Sequence, residues 1–221
     1  MPKTKKLKAP FPDRIYPMLA SSAKEPFTNK DWLYEIKWDG YRMLAEVQKG
    51  KVILYFKDGK ECTSQYKLIA NELEGQPDLI LDGEVVVLGE NGKPDYNALQ
   101  NYNGKGDLVY YIFDLLYLDG KSYLNKSLLY RKEMLLHVLK KESMLTYSDH
   151  FDDGIELFNH MKELGLEGIV AKRKESMYQP GKKSKDWVNI KVKEKRLVQT
   201  VEPKKLPDVY DALMAEIKKV R

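Results

Sequence analysis

Two long apolar runs constrain this chain more than anything else in it. The first is Leu-Ile-Leu-Asp-Gly-Glu-Val-Val-Val-Leu, residues 79–88; the second is Leu-Val-Tyr-Tyr-Ile-Phe-Asp-Leu-Leu-Tyr-Leu, residues 108–118. Both are rich in β-branched and aromatic side chains, and turns close them at Gly89-Glu90-Asn91-Gly92 and Asp119-Gly120. Such runs read as strands of a well-buried sheet. Asp82-Gly83-Glu84 interrupts the first, and carboxylates inside an apolar run are costly unless they find partners. A β-bulge with its charges turned to solvent is the bland account of that interruption.

Around these runs the alternation predicts strands over 32–37, 42–47 and 51–57, successive and antiparallel. Gln48-Lys49-Gly50 and Asp58-Gly59 form their turns. Further strands are expected at 144–147, 168–172, 187–193 and 196–201, with a basic loop over 172–185 joining two of them. Helical periodicity marks 65–74, with Leu68, Ile69 and Leu73 on one face and Gly75 as the stop. It also marks 127–141, with Leu128, Leu135, Val138 and Leu139 buried, and 153–164, with Ile155, Phe158 and Met161 recurring. A turn or two of helix is expected at 96–102, and an amphipathic helix carrying Val209, Tyr210, Leu213, Met214 and Ile217 over 207–220. Residues 14–25 read as a loop-rich entry, and 1–12 as a flexible basic arm. The sum is α+β, antiparallel sheets flanked by helices, in one unit over 13–203 followed by the terminal helix at 204–221.

Composition narrows the function classes. The 221 residues carry a formal charge of +5, a mild lean toward a polyanionic partner. Cys62 is the single cysteine, so no internal disulfide framework exists, which fits a reducing cytosol. The basic start leads into Ala9-Pro10-Phe11-Pro12 rather than an apolar run, unlike a signal peptide. No stretch reaches the roughly 18 apolar residues of a membrane span. No Gly-x-x-x-x-Gly-Lys-Ser/Thr is present, and His137, His150 and His160 lack metal-ligand spacing and read as surface residues.

Chemistry gathers at strand ends. In Tyr34-Glu35-Ile36-Lys37-Trp38-Asp39-Gly40-Tyr41-Arg42, a strand runs into a turn and aims Lys37 where a rigid element can hold it in a cleft. Glu167-Gly168-Ile169-Val170-Ala171-Lys172 sets a carboxylate and an ammonium around a strand, and Glu167 suits a hard cation such as Mg²⁺. In Trp187-Val188-Asn189-Ile190-Lys191-Val192-Lys193, alternation places Asn189, Lys191 and Lys193 on one face. Taken singly, each stretch is equally an ordinary half-exposed strand or hairpin.

Their order is more telling. Lys37 to Arg42, Asp82-Gly83-Glu84, Phe113-Asp114, Glu167 to Lys172 and Trp187 to Lys191 follow one another much as in the adenylation domain of ATP-dependent DNA ligases. Within that family the chain looks most like the ligase module of bacterial end-joining ligases, and the resemblance covers roughly 14–195. It implies the nucleotidyltransferase fold shared with mRNA-capping enzymes, ATP-grasp-like, here without a C-terminal OB-fold because only 196–221 follow. It also implies that Lys37 attacks the α-phosphorus of ATP, forming lysyl-AMP that passes to the 5′-phosphate of a nick. An ammonium has no lone pair, so Lys37 must first lose a proton. By the same resemblance Glu35 reads the adenine amino group and Arg42 contacts the ribose and later the nick phosphate. Glu84 binds the ribose or a metal-bound water, Phe113 stacks on adenine, Glu167 is metal-associated, and Lys191 holds the AMP phosphate.

Lys57, Lys172, Lys183 and Asn189 complete the implied ATP site. Three of these depart from the pattern: Lys57 and Lys183 stand where arginine is common, and Asn189 where a lysine contacts the α-phosphate, so that either Lys193 replaces that charge or the adenylation step is weakened. The resemblance implies ATP and Mg²⁺ or Mn²⁺ as cofactors, and nicked double-stranded DNA as partner. An end-joining polymerase or end-bridging protein are further candidate partners. A cytoplasmic monomer without membrane contact is expected. Two alternatives stay open: an RNA ligase or capping-type nucleotidyltransferase on the same scaffold, and a non-catalytic nucleotide- or nick-binding module.

Overall fold

A computed structural model describes residues 9–139 and 143–192. The two apolar runs form β5 (Leu79–Leu88) and β6 (Asp107–Leu118), paired antiparallel along their length. Beside β5 lie β3 (Tyr41–Gln48) and β4 (Lys51–Phe56), giving the order β4-β3-β5-β6-β7, with β7 at Lys121–Ser122. A short β8 (Leu145–Tyr147) adds in parallel to β6. The second sheet runs β1-β11-β10-β2-β9. Its members are β1 (Leu19–Ala23), β2 (Trp32–Ile36), β9 (His150–Phe151), β10 (Gly168–Arg173) and β11 (Lys183–Lys191). The expected α+β class with mainly antiparallel pairing holds; the pairs β1–β11 and β6–β8 are parallel.

Three sequence expectations change. The strands over 32–37 and 42–47 are not neighbours: β2 pairs with β10 and β9, β3 with β4 and β5. The Lys37-to-Gly40 segment is therefore a crossover between two sheets rather than a hairpin turn. Residues 14–25 are not only loop, because Leu19–Ala23 form β1. Residues 9–12, expected within the flexible arm, are tied down. Ala9 N donates to Gly120 O, Tyr117 OH donates to Ala9 O at 2.8 Å, and Phe11 packs edge-on against Tyr117.

The helices follow local signals at their ends and differ on their faces. In α1 (Lys67–Glu72), Ile69 and Ala70 are buried while Leu68 is exposed. The short α2 (Tyr96–Gln100) is capped by Asp95. In α4 (Gly154–Leu164), Asp153 caps two N–H groups and Gly165 ends the helix at φ 67°. Its buried residues are Leu157, Met161 and Leu164, one step round from the expected stripe, and Ile155 is exposed. In α3 (Leu128–Leu136), capped by Ser127, the buried face is Leu128, Arg131, Lys132 and Leu135. Two cations thus sit at the spacing of a core stripe. The expected strand at 196–201 and helix over 207–220 lie outside the described residues.

Two glycines bring the sheets to their working geometry. Gly168 opens β10 at φ 142°, and a Cβ there would meet Ile190 O at 2.1 Å. Gly83 sits where the β5–β6 register shifts, and a Cβ would meet Tyr111 O at 2.5 Å. The bulge expected at Asp82-Gly83 is present, but Asp82 is fully buried rather than solvent-facing.

Arg131 explains how a cation is held in the core. Its guanidinium grips Asp114 through two bonds of 2.7 and 2.8 Å and also donates to Lys126 O and Ser176 O. Removing one partner strands the other charge, so Arg131→Ala should destabilise the fold by about 3–5 kcal/mol. The paired change Arg131→Met with Asp114→Leu should cost less than the single one. Urea unfolding of both variants checks this, and equal losses would show that the ion pair is not the reason.

Candidate functional site: a cleft between two sheets

The sheets face each other across a cleft of about 400 Å³. Glu35 on β2, Val170 and Lys172 on β10, and Lys183, Trp187 and Asn189 on β11 line one side. Arg42 on β3, Glu84 on β5 and Phe113 on β6 line the other, with Lys57 just after β4. Lys37 and Trp38 form the crossover between them. Nine of the residues singled out by sequence therefore meet in one cavity: Glu35, Lys37, Arg42, Lys57, Glu84, Phe113, Lys172, Lys183 and Asn189. Glu167 and Lys191 lie outside its wall but are joined to it through Lys37.

That junction is an ion-pair chain. Lys37 Nζ donates to Glu167 Oε2 at 2.5 Å, and Lys191 Nζ reaches Glu167 Oε1 at 2.7 Å. Burial works to raise the Glu167 carboxyl, but hydrogen bonds and charge from Lys191 and Lys37 outweigh it and leave it lowered. Asp39, close by, is raised by burial and by the charge of Glu167. Glu167, Lys37 and Asp39 also line a second, open cavity of about 640 Å³ bounded by the turn 89–97.

A second chain lies at the inner end of the cleft. Glu35 Oε1 accepts from Lys132 Nζ and Oε2 from Lys172 Nζ, both at 2.7 Å, and all three groups are buried. Burial opposes the Glu35 charge, yet the two lysines hold its carboxyl below the usual range. Burial pushes the Lys172 ammonium down to about 8, helped by the charge of Lys132, although Glu35 pulls the other way. Lys172 Nζ stands 3.9 Å from the centre of the Phe113 ring and 4.3 Å from that of Trp187, so the rings offer their faces to the cation.

Arg42 completes the wall. Its Nε and Nη2 take both oxygens of Asp82 at 2.7 Å, and Nη2 also reaches Met18 O. Tyr178 OH donates to Asp82 Oδ2 at 2.5 Å. Burial works against the guanidinium charge, but Asp82 outweighs it and raises Arg42. Burial lifts the Glu84 carboxyl to about 7 against the pull of Arg42 and Lys37. Trp38 stacks flat on Tyr111 at 3.6 Å and donates to Ser148 Oγ, fixing the residue that follows Lys37.

Sequence reasoning missed the residues that hold this set in place. Lys132 was hidden in an expected apolar helix face, though Leu128, Arg131, Lys132 and Leu135 sit at core spacing and could have flagged it. Trp187 shares the face of Asn189 and lines the cleft. Tyr178 carried no sequence signal; a loop brings it to Asp82. Lys193, the suggested substitute for a charge at Asn189, lies outside the described residues.

Cation fit follows from the donors. Among the described residues no group of three His, Cys, Asp or Glu side chains could hold a metal by itself. Glu167 and Glu84 offer hard oxygen donors, and each Glu167 oxygen bound to an ammonium keeps a lone pair. That suits a cation taking most of its ligands from phosphate and water, as Mg²⁺ commonly does.

Known proteins resemble this chain in sequence and in fold. Residues 17–193 match the model of the ATP dependent DNA ligase domain. The multifunctional non-homologous end joining protein LigD of Mycobacterium bovis is 36% identical over 183 residues, which is 81% of this chain and 24% of that protein. The SPbeta prophage-derived DNA ligase-like protein LigB of Bacillus subtilis is 33% identical over 181 residues, 80% of this chain and 67% of that protein. A solved structure described as mycobacterial DNA ligase D complexed with ATP and MES superposes with a TM-score of 0.72 at 35% identity, covering 80% of this chain and 60% of that one. The chain thus spans about a quarter of the length of its multifunctional relative. By sequence match and by fold, the chain belongs to the family of ATP-dependent DNA ligase domains.

Proposed function

We propose that this chain adenylates itself on Lys37 with ATP as substrate and passes the AMP to the 5′-phosphate of a nicked DNA duplex. The observation that carries the reading is the convergence of nine sequence-selected residues on one cleft, with Lys37 on the crossover between its walls. In the first step Lys37 Nζ attacks the α-phosphorus, an N–P bond forms, and the bond to the β-phosphate oxygen breaks with pyrophosphate leaving. Glu167 Oε2, 2.5 Å from Nζ, holds the proton that must depart and fixes the direction of the amine. A divalent cation, Mg²⁺ or Mn²⁺, held by Glu167 and phosphate oxygens, would supply charge that favours the neutral amine and offsets the leaving group. Phe113 offers a ring face to adenine, Glu35 a carboxylate to its amino group, and Glu84 an acceptor for ribose hydroxyls. Lys172 supplies cationic charge at the inner end of the cleft, on Glu35 and beside the rings, while Arg42, Lys57, Lys183 and Lys191 supply it around the phosphates. Asn189 offers only an amide there.

In the second step the nick's 5′-phosphate attacks the AMP phosphorus and the N–P bond breaks. The 3′-hydroxyl then displaces AMP and closes the strand. DNA rather than RNA is favoured by the likeness to the multifunctional non-homologous end joining protein LigD. An end-joining polymerase or end-bridging protein would be the companion of that role, with the chain acting as a cytoplasmic monomer. No helix of the described residues is long and apolar enough to cross a membrane.

Intact mass before and after ATP with Mg²⁺ tests the first step. The wild type should gain one AMP and Lys37→Ala none; an unmodified wild type, or an equally modified variant, would end the reading. The loaded protein should then seal a nicked DNA duplex in preference to nicked RNA. Lys172 gives a pH test with a definite sign. Its ammonium titrates near 8, so the cation is present below that pH and lost above it. ATP affinity measured by calorimetry should fall from about pH 7 to 9 in the wild type. In Lys172→Met it should be weaker at pH 7 and nearly flat over the same range.

A further inference from the structure

Lys132 has no part in the nucleotide reading above, yet its ammonium is buried at the inner end of the cleft. It projects from the core face of α3 beside Leu128 and Leu135. Its three donors find Glu35 Oε1 at 2.7 Å, Ser148 O at 2.9 Å and the face of the Tyr147 ring, whose centre is 4.5 Å away. A lone buried ammonium is expensive, and so is a lone buried carboxylate. Here each is tolerated because the other is present. Lys172 is the second cation on Glu35, but it is also committed to Phe113 and Trp187.

We propose that Lys132 is a positioning residue that sets the base selectivity of the cleft. It anchors one oxygen of Glu35, keeps that carboxylate ionised, and turns its remaining lone pairs toward the base. An ionised carboxylate accepts from an exocyclic amino group, as adenine presents, and repels a carbonyl oxygen, as guanine presents at the same place. Without Lys132, a carboxylate in so dry a site takes up a proton, becomes a donor as well as an acceptor, and no longer rejects the carbonyl. Lys132 touches neither the reacting phosphorus nor the amine, so its influence should appear in the choice and binding of the nucleotide.

This inference rests on the adenylation reading, and the experiment separates the two. Initial rates of protein-AMP and protein-GMP formation are followed by intact mass over a range of ATP and GTP concentrations. Wild type, Lys132→Met, Glu35→Gln and the double variant are compared. If the wild type forms no adduct, the adenylation reading fails. If it does, Lys132→Met should lower the preference for ATP over GTP by roughly tenfold or more, through KM and with kcat for ATP changed far less; a charged hydrogen bond has that leverage. The double variant should match Glu35→Gln alone, because Lys132 acts only through Glu35. It removes the Lys132–Glu35 pair together and leaves Lys172 against an amide and the Phe113 and Trp187 rings, so thermal unfolding of every variant is measured alongside to show that each is folded. An unchanged ATP preference in Lys132→Met, a loss confined to kcat, or a double variant less selective than Glu35→Gln would overturn the proposal.

Discussion

Burying an ionised carboxylate costs several kcal/mol, and this molecule offsets that cost with two lysines at the buried Glu35 and repeats the arrangement at the half-buried Glu167. Glu35 carries Lys132 on one oxygen and Lys172 on the other; Glu167 carries Lys37 and Lys191. Each carboxylate ties together elements distant in sequence. Glu35 joins β2 to α3 and β10, and Glu167 joins the crossover to the end of β11. A third pair, Arg42 with Asp82, fastens β3 to β5 and recruits Tyr178. Glu35–Lys172 and Glu167–Lys191 fix charge on one side of the cleft, and Arg42–Asp82 on the other. They are also why the walls cannot simply collapse into an apolar core.

The polarity of the cleft is graded. At the inner end the charges are fully paired and dry, with rings of Phe113 and Trp187 laid against Lys172. At the outer end Lys183 and Lys191 are exposed, and Lys37 is only partly covered. A ligand with a flat aromatic base and a polyanionic tail matches that gradient. The base fits against rings and a carboxylate, and the tail lies among loosely held ammonium groups. Glu84, whose carboxyl burial lifts to about 7, also lines the cleft.

Much of this was legible before any coordinates. The runs 79–88 and 108–118 read as strands because β-branched and aromatic residues fill them, and they pair as the spine of one sheet. Helix ends were readable from Ser127, Asp153 and Gly165, whose side-chain and backbone chemistry is local. Helix faces were less so: Ile155 and Leu68 are apolar yet exposed, while Arg131 and Lys132 are charged yet buried. Hydropathy sees the residue type, not the partner that makes burial affordable. The split of β2 and β3 between two sheets was also hidden. Lys37 to Gly40 has the composition of a hairpin turn, and only the distant pairing of β2 with β10 decides otherwise. Tyr178 reaches Asp82 behind the cleft wall through tertiary packing that no short window records.

The account turns on one amine, Lys37, being the group that takes up the nucleotide. Peptide mapping of the ATP-treated protein, under alkaline conditions that preserve a phosphoramidate, tests it most directly. AMP should be found on Lys37 alone. AMP on Lys172, Lys191 or another side chain, or on none, would contradict the chemistry assigned to this cleft.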